Sequence, residues 1–310
     1  MTSAAQPFPR PRPRLGALAG QSAWRLLLAA GLWSACAAPA WADGDTRPAT
    51  PQEKAYHARV MGVCQKAATA GPAGWEQVDR SETPQLEQVS TGLGKSPWPL
   101  TYRLAWQDSA RLRAGEEKAL QAGIALLERQ KADKTATELQ KQADKLANAM
   151  GAAMNKGDMP EGLRLRQQME PYLSQLQAIH EDRDRQFEDI LRENQPKDAR
   201  ASLSIHINSL GEEFTGPLAA LPPLAGAQAW RTQGAYSPNQ GWREGVTVVL
   251  LGEWTMDKAG DSTILTAKTR PGLPATTVQT VVVRLSAGQD RARQMLESLD
   301  WAQIKDLLGK

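Results

Sequence analysis

"NKGDMPEG", residues 155–162, is the stretch on which the fold turns. It interrupts a long segment from Glu116 to Asn194 that is rich in Ala, Gln, Lys, Glu and Leu at a helical period. Within it Gly157 offers a left-handed helix terminator, Asp158 the next N-cap, and Pro160 a first-turn residue, with Glu161 three positions after the cap. The pattern predicts two helices of roughly 40 and 35 residues that meet at a tight turn and run antiparallel.

Their facing surfaces follow from spacing. Ala132, Ala136, Leu139, Ala143, Leu146, Met150 and Ala153 recur at alternating fours and threes, as a coiled-coil seam does. Leu165, Met169, Tyr172, Leu176 and Ile179 repeat the pattern on the second helix, so small side chains face large ones and the axes can approach closely. Pro171 is expected to kink that helix. At about 1.5 Å per residue such a hairpin reaches roughly 50–60 Å, more than the width of an ordinary domain. It should project, or lie along a partner.

On either side of this segment the period falls to two. Candidate strands are Pro99–Trp106, Ala201–Asn208, Ala227–Thr232, Gly245–Trp254, Thr263–Lys268 and Thr276–Leu285, with "LPPLAG" (221–226) and "DKAGDS" (257–262) as turns. A helix is expected from about Ala55 to Ala70. Another closes the chain, with Met295, Leu296, Leu299, Ile304, Leu307 and Leu308 as its apolar stripe and a recap at Asp300. The expected fold is α+β, an antiparallel β-sheet packed by terminal helices with the coiled-coil-like hairpin inserted through one sheet connection.

The predicted organisation is a signal peptide (1–42), a flexible mature N-terminus (43–54), the first part of the body (55–115), the helical hairpin (116–195) and the rest of the body (196–310). The leader assignment rests on an uncharged run from Leu26 to Ala42 behind Arg10, Arg12, Arg14 and Arg25, with Ala40-Trp41-Ala42 before the cut. That run is shorter than the roughly 20 apolar residues of a bilayer-crossing helix and includes Pro39, so no transmembrane span is expected in the mature chain. The minority alternative is lipidation of Cys36, where Ser34-Ala35-Cys36 fits a lipobox but Trp33 fills its aliphatic slot. Export places the protein in the periplasm or outside the cell.

The whole chain carries a net charge of +3, and the leader's four arginines account for all of the excess. A near-neutral mature body lacks the basic footprint that a phosphate backbone demands, so nucleic acid is not an expected partner. After cleavage Cys64 is the remaining cysteine, which rules out an internal disulfide and reads as a buried thiol on a helical face.

Catalytic patterns are incomplete wherever they begin. Gly94-Lys95-Ser96 matches the tail of a phosphate-binding loop, but Val89 stands where its first glycine belongs and Pro97 where its helix would start. "LSIHIN" (203–208) puts Ser204, His206 and Asn208 on one face of a strand, yet same-face neighbours about 7 Å apart are expected to be too distant for proton transfer. His57 and Cys64, two helical turns apart, are too distant to pair as base and thiol, and His180 is isolated. The charged run "HEDRDRQFEDILREN" (180–194) reads as a solvated helix face. No catalytic residue, cofactor or metal site is predicted.

The most suggestive surface is "AWRTQGAYSPNQGWREG" (229–245), where Trp230, Tyr236, Trp242 and Arg243 sit in a Gly-rich connection and are the candidate ligand-binding residues. The expected role is therefore non-enzymatic. The hairpin would touch another envelope protein or a second copy, using Ala136, Leu139, Ala143, Leu146, Met150, Leu165, Met169, Tyr172 and Leu176 as its seam. The alternative is a cell-wall glycan or peptide binder, or a hydrolase at Trp230–Trp242 drawing on Glu212, Glu213 or Glu244.

Overall fold

The computed structural model describes residues 46–68, 71–85, 87–90, 96–237 and 241–310. The leader and its alternative lipidation site lie outside them, as do Gly94 and Lys95. In chain order come β1 (Thr46–Pro48), α1 (Pro51–Ala67), β2 (Glu76–Glu82), β3 (Gln88–Ser90) and β4 (Leu100–Gln107). Next are α2 (Ser109–Ala132), α3 (Thr135–Asn155) and α4 (Met159–Asn194), then β5 (Arg200–Ile207), β6 (Gly211–Thr215), β7 (Leu218–Leu224) and β8 (Ala227–Thr232). β9 (Ala235–Ser237), β10 (Gly241–Arg243), β11 (Val246–Leu251), β12 (Trp254–Ala259), β13 (Ser262–Ala267) and β14 (Val281–Ser286) precede α5 (Gln289–Glu297) and α6 (Trp301–Lys305).

Period-two burial builds the core. Leu100, Tyr102, Leu104 and Trp106 of β4 lie opposite Ile207, Ile205, Leu203 and Ala201 of β5, and all eight are buried. The sheet they belong to has seven antiparallel strands in the order β2-β4-β5-β14-β11-β8-β7. α1, α5 and α6 cover this apolar face, adding Val60, Cys64, Met295, Leu296 and Ile304 to one cluster. Each such side chain contributes about 1.5–3 kcal/mol by leaving water, so this layer dominates stability. The fold is mixed helix and antiparallel sheet, as the alternation predicts.

The opposite face is only part covered. A smaller sheet, β12-β13-β6, lays Phe214 and Leu265 on Val248, Leu250 and Val282. Beyond it the outward residues of β4 and β5 are small or polar, and among them Arg103 is exposed while Thr101, Ser202, Ser204 and His206 are half-buried.

β4 and β5 are adjacent, yet α2, α3 and α4 all lie between them in sequence. The reversal from α3 to α4 uses Gly157 at φ +78°, and Asp158 accepts from Glu161 N at 3.1 Å. α3 and α4 pack closely, and α4 runs through Pro171.

Several expectations need correction. Residues 46–54 are not a loose terminus, since β1 pairs with β3 and α1 starts at Pro51. The sequence "TPQE" is a capping box, in which Glu53 N donates to Thr50 Oγ1 at 3.3 Å and Thr50 N to Glu53 at 2.7 Å. The first long helix is two helices. Asp133 Oδ1 captures Thr135 N at 2.9 Å, a local bond that competes with the helical ladder and breaks it between α2 and α3. α2 itself begins at Ser109, ahead of Glu116.

"LPPLAG" is mostly strand. β7 is an edge, and its register shifts between Leu221 and Leu224, so Pro222 and Pro223 fall where a missing N–H costs nothing. The strand expected over Gly245–Trp254 is split by Gly252 at φ +100°, with β11 and β12 in different sheets. The one expected from Thr276 starts at Val281, because the preceding backbone is held elsewhere. Val278 N donates to Lys310 O at 3.0 Å and Gln279 N to Asn208 Oδ1 at 2.7 Å.

Candidate functional site

The chain places its recognisable surfaces in three regions. The first is the helical segment. Of the seam residues, Ala143, Leu165 and Leu176 are buried, while Ala136, Leu139, Leu146, Met150, Met169 and Tyr172 are half-buried. α2 packs on the end of α4 through small residues. A Cβ on Gly115 would come within 2.6 Å of Asn194 O and 2.7 Å of Pro196 Cδ. A third to a half of a turn round α2 from Gly115, Leu120, Ile124 and Leu127 stay 57%, 49% and 46% exposed. Their spacing of four and three is legible in "LQAGIALL" (120–127), beside the more regular pattern of α3.

The second region is the aromatic stretch, and the tertiary structure divides it. Trp230 lies in β8 and packs with the second apolar cluster beside Trp254. Tyr236 and Trp242 face each other across the β9–β10 pair, where Trp242 N donates to Gln195 Oε1 at 2.8 Å and Lys197 Nζ stands 4.5 Å from its ring centroid. Tyr236 has its hydroxyl pKa raised, chiefly by burial, with Glu188, Arg192 and Asp189 of α4 nearby. These two rings brace the foot of α4. Arg243 is exposed, whereas Arg231 is turned inward and donates to Thr247 at 2.6 Å and Ala287 O at 2.7 Å.

The carboxylates named with that stretch are engaged separately. Glu212 accepts from Arg284 at 3.0 Å and Ser209 at 3.2 Å, and burial raises its pKa. Glu244 accepts from Asp198 N near the end of α4, and Glu213 is exposed. An open depression of about 340 Å³ at the foot of α2 is lined by Glu76, Gln107, Ser109, Arg113, Glu116 and Arg200. Its charges balance, and Ser109 Oγ already donates to Glu76 at 2.5 Å.

The third region is the bare polar face. Here the expectation from Cα spacing fails, because the His206 ring leans along its strand and brings Nε2 to 3.0 Å from Ser204 Oγ. Nδ1 lies 3.4 Å from Thr101 Oγ1. Burial first, then Arg284 and Arg103, lower the imidazole pKa to about 4, so the ring is neutral at pH 7 and can accept from the serine. Asn208 does not share this face. At φ +55° it leaves the strand and turns into the core, where its amide contacts Tyr56 Oη, Trp98 O and Thr277 O, each at 3.1 Å.

The remaining candidates stand apart. His57 Nε2 pairs with Thr83 O at 2.6 Å. Cys64 is free and buried, which pushes its thiol pKa up to about 12. Among the described residues no cluster of three or more His, Cys, Asp or Glu is placed to hold a metal ion, and no helix is long and apolar enough to cross a membrane. Comparison of the chain with protein-family models, curated proteins and solved structures finds no match.

Proposed function

We propose that this is an exported binding protein acting by contact rather than by catalysis, and that its partner is a second copy of itself. In this reading α3 and α4 form a coiled-coil-like helical hairpin that stiffens an arm, and α2 carries the docking face. The observation that supports it is the Leu120, Ile124 and Leu127 stripe. It has heptad spacing and high exposure on a helix whose opposite side is already occupied.

Charge placement selects the partner. Glu117 and Lys131 stand at equal sequence distances on either side of Ile124. An antiparallel pairing through Ile124 therefore sets Glu117 of one copy opposite Lys131 of the other and brings Leu120 within one residue of the level of the partner's Leu127. Neither charge has an ion-pair partner among the described residues. Export rests on the leader pattern of residues 1–42 and places the pairing in the periplasm.

Sedimentation of the chain across the micromolar range tests this. The expected result is a reversible dimer that Ile124→Glu abolishes and Glu117→Lys weakens, with Glu117→Lys/Lys131→Glu restoring it. A wild-type chain that stays monomeric, or a dimer indifferent to Ile124→Glu, refutes the reading.

A further inference from the structure

The bare half of the sheet carries an arrangement that no strand shows alone. Ser204 lies directly opposite Arg103 on β4 and Arg284 on β14, so one cross-strand row reads Arg–Ser–Arg. Adjacent strands are about 4.8 Å apart, which sets the hydroxyl between two guanidinium-bearing positions. The row above holds His206, with Nε2 at 3.0 Å from Ser204 Oγ. The row below holds Ala105, Ser202 and Ser286, whose short side chains leave a shallow floor, and ends at exposed Asp79 on β2.

The two guanidiniums of the row differ in what holds them. Arg284 donates to Glu212 at 3.0 Å and lies over the Phe214 ring at 5.7 Å, so one carboxylate and one ring fix its orientation. Arg103 is exposed and makes no hydrogen bond or ion pair among the described residues. Two guanidiniums thus flank the hydroxyl, one of them held by a carboxylate, with exposed Asp79 of β2 at the edge of the same face and a neutral imidazole beside them.

We propose that this row is a binding site for a small oxyanion, a carboxylate or phosphate group, held by Arg103 and Arg284 with the Ser204 hydroxyl donating between them. Guanidinium suits such ligands because its parallel N–H groups match two oxygens at once. His206 supplies the replacement donor. In the free protein Nε2 accepts from Ser204 Oγ–H and Nδ1–H faces Thr101 Oγ1. When the hydroxyl turns to the anion, the neutral imidazole exchanges tautomer through solvent, losing the Nδ1 proton and gaining one on Nε2, so that Nε2–H donates to Ser204 Oγ and Nδ1 accepts from Thr101 Oγ1–H. Arg103, Arg284 and Thr101 remain in place around the ring.

The inference is independent of dimerisation through α2, and its test reads a different residue. Imidazole NMR signals of the whole chain are followed as sodium phosphate or sodium acetate is added, with sodium chloride at matched ionic strength as the control. A saturable displacement of the His206 signals by phosphate or acetate but not by chloride is expected, with its pKa moving upward and His57 and His180 unmoved. Whichever anion saturates at lower concentration identifies the ligand as phosphate-bearing or carboxylate-bearing. Arg103→Gln, at an exposed position without structural partners, should weaken binding by about tenfold or more, and Ser204→Ala should weaken it too. Equal displacement by chloride, no saturable displacement by either anion, or undiminished binding in Arg103→Gln would overturn the proposal.

Discussion

Replacing Asn208 is the most severe single test of the packing scheme. Its Oδ1 accepts from Gln279 N at 2.7 Å and Thr280 N at 3.4 Å, and its Nδ2 serves Tyr56, Trp98 and Thr277. One side chain therefore joins the end of β5, the approach to β14, and α1. Asn208→Ala strands buried donors and acceptors, and at about 1 kcal/mol per neutral hydrogen bond the loss is roughly 3–5 kcal/mol.

The backbone adds to that cost. Asparagine tolerates φ +55°, whereas alanine there costs about 1 kcal/mol more. Asn208→Gly removes the same bonds without that strain, so the difference between the two variants isolates the backbone contribution. Asn208→Asp keeps the acceptor for Gln279 but turns a carboxylate oxygen toward the carbonyls of Trp98 and Thr277. Its deficit should be greatest at neutral pH and shrink as acid restores an O–H donor. Urea unfolding followed by circular dichroism reads all three. A loss below about 1 kcal/mol for Asn208→Ala, the value of a single ordinary bond, would refute the reasoning.

Other outcomes follow from the same geometry. With His206 lowered to about 4 in the folded chain and near 6.5 when unfolded, the unfolded state binds the proton first; stability is full above pH 6.5 and falls by on the order of 3 kcal/mol as pH drops toward 4. Comparing urea midpoints of wild type and His206→Gln through that window isolates the effect, which a parallel decline would contradict. Gly115→Val should lose about 1–3 kcal/mol by overpacking against Asn194 and Pro196 and raise amide exchange in α2 more than in the sheet. Cys64, with its thiolate disfavoured by burial, should resist a thiol reagent in the native protein and react once urea unfolds it; fast native labelling would place it elsewhere.

What the sequence determined by itself was local and periodic. Leu100–Trp106 and Leu203–Ile207 declared their buried faces through alternation, because a strand turns successive side chains to opposite sides wherever it is placed. Gly157 and Asp158 declared the end of one helix and the start of the next, because caps are satisfied within a few residues. The break at Asp133 is equally local, but the regular apolar spacing from Ala132 to Ala136 runs across it and masks it.

The bare face depended on pairing. Arg103, Ser204 and Arg284 are far apart in sequence, and only the antiparallel register of β4, β5 and β14 sets them in one row. The Ser204–His206 contact depended on how the imidazole leans, which Cα spacing does not fix. Tertiary structure likewise separated Trp230 from Tyr236 and Trp242, by setting one, half-buried, against the smaller apolar cluster and the others at the foot of α4. Periodicity fixes which way a side chain faces along its own strand or helix, whereas its neighbours across the fold follow from the burial of the whole chain.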